Sequence, residues 1–529
     1  MIRVRQVKLN VRNNNLKQAI SHKLKINESE IIDYKIIKES IDSRDKPNIF
    51  YVYELDVNVK DETRILNKNK SNDVFLSHEE DYSFNDFGNK RIKNRIIVVG
   101  SGPAGLFASF MLAKYGYNPL VIERGCSVEE RVKKVNDFWN NNNLDTECNV
   151  QFGEGGAGTF SDGKLNTLIK DTNNRMKEVF KTFVKFGAPK DIMYKSKPHI
   201  GTDILRDVVK NMRNEIIRLG GTFRFNTKLT SINYENNQLY SIIVNDSEEI
   251  KCDALVLAIG HSARDTFEML NKTSLELKPK PFAIGVRVQH NQSMINESQY
   301  GKNYYEGLEN ATYKLTHTCK NKRGVYTFCM CPGGYVVNSS SEKEMLSING
   351  MSYRLRDSKN ANSAVIVTIG PEDYGSNPLD GMYFQRELEK KTYKLCNGKI
   401  PTQLFKDYLE NRKSNSYKSI EPLFKGNYEF ANLNEIFPEY INESLKEGIN
   451  AFGNKIKCFN NDDVILSAIE SRTSSPIKIL RDENLESNIK GIYPCGEGAG
   501  YAGGITSSAV DGIKVFEKIA SIYERRKNE

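Results

Sequence analysis

The chain has 529 residues, a length that suggests about three domains and leaves room for a large buried core, so a mini-protein or a single small binding module is excluded. Hydrophobic residues make up 39% and charged residues 27%, which is typical of a globular protein and too apolar for a disordered one. The net charge of +9 is modest for this size, and the longest apolar runs, such as Ala254 to Ile259, fall far short of the roughly 18 residues of a membrane span.

The opening residues alternate apolar and polar side chains with charges inside the pattern, so they lack the apolar stretch of a secretory signal. They predict a small α+β unit: strand Ile2 to Val11, helix Leu16 to Leu24, and strands Ile31 to Ile41 and Ile49 to Val59. We read residues 1–75 as a ferredoxin-like α+β domain and the polar, turn-rich residues 76–94 as a linker. Residues 1–27 hold Arg3, Arg5, Lys8, Arg12, Lys17, Lys23 and Lys25 with no acidic residue, a local +7 that could meet an anionic partner such as nucleic acid.

From Arg95 the pattern becomes strand (Ile96 to Val99), glycine turn, helix (Pro103 to Tyr115) and strand (Pro119 to Glu123), the βαβ start of a parallel sheet. A helix around Asp203 to Leu219, three short strands between Phe223 and Ile250, and the buried strand Ala254 to Ile259 follow. Residues 281–463 mix strands and helices without a nucleotide signature and read as an inserted α+β substrate domain. The chain closes with strand Gly491 to Pro494, a glycine cluster and helix Ser507 to Tyr523, so residues 95–280 and 464–529 together form one α/β, Rossmann-like domain.

Gly100-Ser101-Gly102-Pro103-Ala104-Gly105 fits the dinucleotide fingerprint in its proper setting between an apolar strand and an apolar helix. The first glycine permits the tight turn, the second lets the backbone approach a pyrophosphate, the third lets helix and strand pack, and the helix N-terminus faces the anion. Glu123 falls at the end of the next strand, where a carboxylate accepts from a ribose 2′-hydroxyl and repels a 2′-phosphate; Arg124 beside it weakens that exclusion. The ADP half of FAD or NAD is therefore favoured over NADP. Gly153 to Gly158 also fits G-x-G-x-x-G, but it follows a polar segment and precedes no apolar helix, so it is rejected as a second Rossmann turn. The cluster Gly496 to Gly504 lies between a strand and a helix, where its amides can face a polar ligand group.

The nine cysteines are scattered without a C-x-x-C, which argues against a disulfide framework and a dithiol redox centre and leads us to expect reduced thiols and a cytoplasmic protein. Cys329 and Cys331, two apart in a predicted strand, make a poor zinc site by themselves, and we expect core or pocket thiols and no bound metal. Cys495, just before the last glycine cluster, would sense oxidants only if its pKa were low.

These glycine clusters, with Ala254 to Gly260, resemble the two-dinucleotide-binding-domain flavoproteins of glutathione-reductase type. More specifically, Gly153 to Lys164, Gly260-His261-Ser262-Ala263-Arg264-Asp265, Cys329 to Gly334, Ser471 to Pro476 and Tyr493 to Asp511 resemble a family of uncharacterised FAD-dependent dehydrogenases, over about Arg95 to the C-terminus. The resemblance implies FAD held by Gly100, Gly102, Pro103, Ala104 and Gly105, with Gly155, Gly156 and Gly260 nearby. It also implies Glu123 and Arg124 at the adenosine ribose, the backbone near Leu229 at adenine, and Gly496 and Glu497 at the ribityl or pyrophosphate region. Glu497 departs from the Asp usual in relatives, which leaves its contact open. Gly503, Gly504 and Ile505 would present amides to the flavin pyrimidine carbonyl and stabilise the reduced ring.

Three residues are candidates for catalysis. Lys164 could place a cation near the flavin or be a surface lysine. His261 could be an acid or base near neutral pH or a backbone-bonded histidine. Arg472 could clamp a substrate carboxylate or form a domain-interface ion pair. The expected function is hydride transfer between a small organic substrate and flavin N5. The alternatives are an NAD(P)H-dependent reductase or monooxygenase in which the nicotinamide binds transiently, an RNA-associated flavoprotein using the basic N-terminal unit, and a non-catalytic flavin scaffold. Oligomeric state is not legible.

Overall fold

The computed structural model of the chain describes all residues except 70, 79 and 526–529. At the N-terminus, strands Ile2–Asn10, Ile31–Asp42, Phe50–Val59 and Val74–Leu76 form one antiparallel sheet, in the order second, third, first, fourth. Helices Leu16–Leu24 and Glu62–Lys68 cover one face. The first strand changes phase midway: Ile2 and Val4 point inward, and a bulge, with Gln6 at φ 55°, lets Val7 and Leu9 point to the same core.

The local +7 is largely answered by neighbouring strands. Arg3 forms a fork with Asp56 at 2.8 Å for both bonds, Arg5 meets Glu54 at 3.2 Å, Lys8 meets Asp42 at 3.3 Å and Lys23 meets Asp73 at 2.7 Å. The carboxylates missing from residues 1–27 arrive from later strands and turns, so the linear count overstates the field that an anionic partner would meet.

Residues 82–92, read as part of a linker, form a packed strap. Phe84 and Phe87 pack on each other and on Tyr115, and Phe84 also meets Phe516. Gly88 N donates to Ala520 O at 2.9 Å and Lys90 N to Ile522 O at 3.1 Å. Tyr82 adds a third aromatic to this polar segment, and its hydroxyl donates to Glu517 of the last helix at 3.0 Å.

The central sheet is parallel, with the order Ile492–Pro494, Ala254–Leu257, Ile96–Val99, Leu120–Ile122, Thr222–Arg224. Four of these strands are wholly buried, which explains why they read as unbroken apolar runs rather than alternations. Helices Pro103–Lys114 and Ile505–Ala520 pack together against one face of the sheet.

The inserted domain is built on a mixed seven-stranded sheet. Strand Ile465–Glu470 belongs to this sheet, between Phe282–Asn291 and Ile400–Leu404, so the insert runs to Glu470 and not to residue 463. The turn at Asp463 leads into the strand and does not leave the domain. A two-stranded stem, Leu277–Pro279 with Ile477–Ile479, lies at the junction with the domain of the parallel sheet. Cys126 and Cys148 form a disulfide, which corrects the expectation that every thiol is reduced; the loop after Leu120–Ile122 meets a later turn there, a juxtaposition that cysteine spacing does not reveal. Among the described residues, no helix is long and apolar enough to cross a membrane.

Candidate active site

One cavity runs from the Gly100–Gly105 turn, across the ends of the parallel strands, to the wall of the inserted domain. Of the residues expected at a cofactor, Gly100, Gly102, Pro103, Ala104, Glu123, Arg124, Gly156, Leu229, Gly260, Glu497, Gly503, Gly504 and Ile505 line it. Gly105, Gly155 and Gly496 lie behind the wall and shape it instead. A methyl on Gly105 would fall 1.9 Å from Gly100 O, so this glycine lets helix and turn touch. Gly155 N donates to Ser101 O at 2.9 Å, and a methyl on Gly496 would meet Ala104 Cβ at 2.6 Å.

The cavity suits a long dinucleotide. Added methyls at Gly260 and Gly503 would meet nothing within 4 Å, and one at Gly102 only Gly156 Cα at 3.7 Å, so three backbone stretches present bare surface to the same space. Glu123 accepts from Ser101 N and Oγ on one oxygen, at 2.9 and 2.8 Å, and from Gly125 N and Gly153 N on the other, at 2.9 and 3.1 Å. A ribose hydroxyl would share acceptor oxygens that already bind the turn. Arg124 is turned away into a fork with Asp265, at 2.7 and 2.9 Å, and a bond to Glu147.

The Gly153–Gly158 loop is not followed by an α-helix, as expected, but by a single 3-10 turn, Ala157–Phe160. It folds onto the first glycine turn and forms part of the same site. Beneath it the fully buried guanidinium of Arg131 donates to the carbonyls of Asn149, Val150, Gly153, Glu154 and Gly156, at 2.8 to 3.1 Å. Burial lowers this arginine to about 9. Glu154 beside it is pushed up to about 7 by burial, against the pull of Arg213 at 2.9 Å.

The far end holds the candidate chemistry. Lys164 lines the cavity, with its Nζ 3.9 Å from Asp162 Oδ2. Burial favours the protonated form of Asp162, but Lys164 and Arg356 prevail and keep its pKa low. His261 bonds Ser262 Oγ at 2.9 Å and is pushed down to about 3 by burial and by Arg472 and Arg264, so it is neutral at pH 7 and a weak base. Arg472 touches the cavity, but its fork closes on Glu389, at 3.0 and 2.8 Å, with Nη1 on Ser341 and Ser262. Glu389 is fully buried, also accepts two 2.8 Å bonds from Arg264 and one from Ser471, and is held well below the usual carboxylate range by both arginines despite its burial.

Sequence reasoning missed Glu470. It ends a strand whose other residues are nearly all apolar, yet it lines the cavity while only 3% exposed. Its Oε2 has no hydrogen-bond partner and lies 3.5 Å from Arg287 Nη1. Burial pushes its carboxyl up to about 7 against the attraction of Arg287. Glu497, near Lys280, is raised to about 7 for the same reason. Cys329 faces Glu470 from the neighbouring wall and also lines the cavity. A buried acid at the end of an apolar strand gives no periodic signal; the run Glu470-Ser471-Arg472 was the available hint.

Residues 281–473 match the family model described as FAD-dependent protein, C-terminal domain-like, and residues 157–296 match flavin containing amine oxidoreductase. Residues 1–58 match a domain of unknown function. A protein of Clostridium beijerinckii described as uncharacterized is 48% identical, covering 99% of each chain. Among solved structures, the glycerol-3-phosphate dehydrogenase from Bacillus halodurans complexed with FAD aligns at 12% identity and TM-score 0.32, over 82% of this chain and 66% of that one. The L-proline dehydrogenase from P. horikoshii aligns at 14% and 0.32, over 81% and 94%.

Proposed function

This chain belongs to a family of FAD-dependent oxidoreductases, and on that footing we propose that it transfers a hydride between a small organic substrate and flavin N5. The observation that carries this reading is the single cavity, with a glycine turn at one end and Lys164, Cys329 and Glu470 at the other. Bound FAD supplies the two-electron acceptor. The amides of Gly100 to Gly105 and the adjoining helix N-terminus hold the pyrophosphate, Glu123 the adenosine ribose, and the backbone at Leu229 the adenine.

At the opposite end, the first amides of helix Ile505–Ala520 lack intrahelical partners and would face the flavin ring, where they would favour negative charge. Lys164 adds a cation there. Glu470, protonated and ionised in comparable amounts at neutral pH, exchanges a proton with the substrate, and Arg287 offsets its charge. His261 and Arg472 position this end through Ser262 and Glu389. The inserted domain supplies the wall of the cavity that holds Cys329 and Glu470. In the same reading the first domain is ferredoxin-like, and the dinucleotide-binding domain is arranged as in the glutathione-reductase type.

The test is an anaerobic titration of flavin-loaded protein with NADH, NADPH and a panel of amines and hydroxy acids, following flavin absorbance. Bleaching by an organic donor at a saturable rate supports the proposal. Bleaching by a nicotinamide alone, or by nothing in the panel, overturns it.

A further inference from the structure

Strand Gly324–Cys331 of the inserted domain loses its register between Phe328 and Cys331, and Cys329 adopts φ 42°, a left-handed conformation rare for a residue other than glycine. Such backbone strain persists where surrounding contacts enforce it and is concentrated at functional sites. Here the enforcing contact is Arg287, fully buried, which donates from Nη2 to Cys329 O at 2.7 Å. The bulge exposes the Cys329 thiol to the cofactor cavity and leaves Cys331, fully buried, behind it. Cys331 Sγ lies 3.3 Å from Cys329 O and in hydrogen-bond contact with Cys329 Sγ.

We propose that Cys329 and Cys331 are a redox-active pair that closes to a disulfide by passing two electrons to the flavin, and that small thiols or disulfides entering the cavity exchange with it at Cys329. The inference rests on the FAD reading above. It replaces the expectation that a chain without C-x-x-C has no dithiol centre, because the bulge brings together two sulfurs that a spacing rule ignores. In the step, the two S–H bonds break and one S–S bond forms. Two electrons and one proton pass to the oxidised flavin, and the other proton passes to the Glu470 carboxylate and then to solvent. The reverse step reopens the pair.

The surroundings support the division of labour. The Cys331 hydrogen bond, aided by Lys164 and Arg287, lowers the Cys329 thiol against its burial, while the same contact and burial raise Cys331. Cys329 is thus the thiolate that attacks and Cys331 the thiol that resolves.

Trypsin releases Gly324 to Lys343 as one peptide holding both cysteines and no others. Holoenzyme whose FAD content has been measured is reduced anaerobically with dithionite, desalted, reoxidised, and then denatured and alkylated with iodoacetamide. The expected peptide is doubly alkylated before reoxidation and internally disulfide-bonded after it, with closure at least ten-fold slower in flavin-stripped protein. Cys331→Ser should keep its FAD, take up two fewer electrons per flavin in a dithionite titration, and trap 2-hydroxyethyl disulfide as an adduct on Cys329. The Cys126–Cys148 bond is followed separately through its own peptides. Two alkylated thiols in holoenzyme with oxidised flavin would overturn the proposal with the FAD reading intact; a preparation that binds no FAD would remove that reading itself.

Discussion

Gly156 lies against Gly102, so that a methyl on Gly156 would fall 2.9 Å from Gly102 Cα, and Gly156 itself has φ 64°. Two glycine loops distant in sequence thus meet backbone to backbone where a pyrophosphate would lie. Gly156→Ala must strain its own backbone and push the Rossmann turn aside. The expected outcome is at least a ten-fold loss of FAD affinity with an unchanged far-ultraviolet circular dichroism spectrum, measured by flavin fluorescence on titrating stripped protein.

Arg131 holds the same loop by five carbonyls, a geometry that the single ammonium of lysine cannot reproduce. Arg131→Lys should destabilise the protein by about 2–4 kcal/mol, since it leaves buried acceptors unpaired. Urea unfolding with and without FAD checks this, and the FAD-dependent part of the stability should shrink in the variant.

These two cases mark how far the sequence could be read. The first turn is local: strand, glycines, helix and Glu123 lie within one βαβ unit, so spacing alone identifies it. The loop at Gly153 to Gly158 lacks the apolar helix of a Rossmann turn, a local feature, but its place depends on Arg131 more than twenty positions earlier, and linear pattern carries no such contact. The charge balance of the basic segment is hidden for the same reason, because Asp56 and Glu54 reach Arg3 and Arg5 only through strand pairing. Glu470 was invisible because burial, which makes it interesting, also makes its strand look purely apolar.

Glu470 should leave a signature in pH. Its folded carboxyl is raised to about 7, above the ordinary unfolded value, so the native state binds this proton more tightly. The resulting stabilisation is fully present below the unfolded pKa and is lost as pH rises toward 7. Between pH 5 and 8 the wild type should lose about 2–3 kcal/mol more than Glu470→Gln, as read from denaturant unfolding at the two pH values. The same variant should remove a transition near pH 7 from the rate of flavin reduction.

The opposite sign applies to Glu389, whose pKa Arg264 and Arg472 depress. Its stabilisation is present above the unfolded carboxylate pKa and is lost as pH falls below it. Glu389→Gln takes the carboxylate away from buried Arg472 and leaves Arg264 with Glu342 alone, and it should cost about 3–5 kcal/mol at pH 7. Thermal unfolding at pH 7 and at pH 4 should show the gap between variant and wild type narrowing in acid.

Hydrogen–deuterium exchange of the protein with and without FAD tests the placement of the cofactor most directly. Protection should appear together at Gly100 to Gly105, at Gly153 to Gly158, at Gly503 to Ser508 and at Phe328 to Cys329 on the inserted domain, because one molecule spans the cavity. Protection confined to the first glycine turn, with no change at Gly503 to Ser508 or at Cys329, would contradict the account.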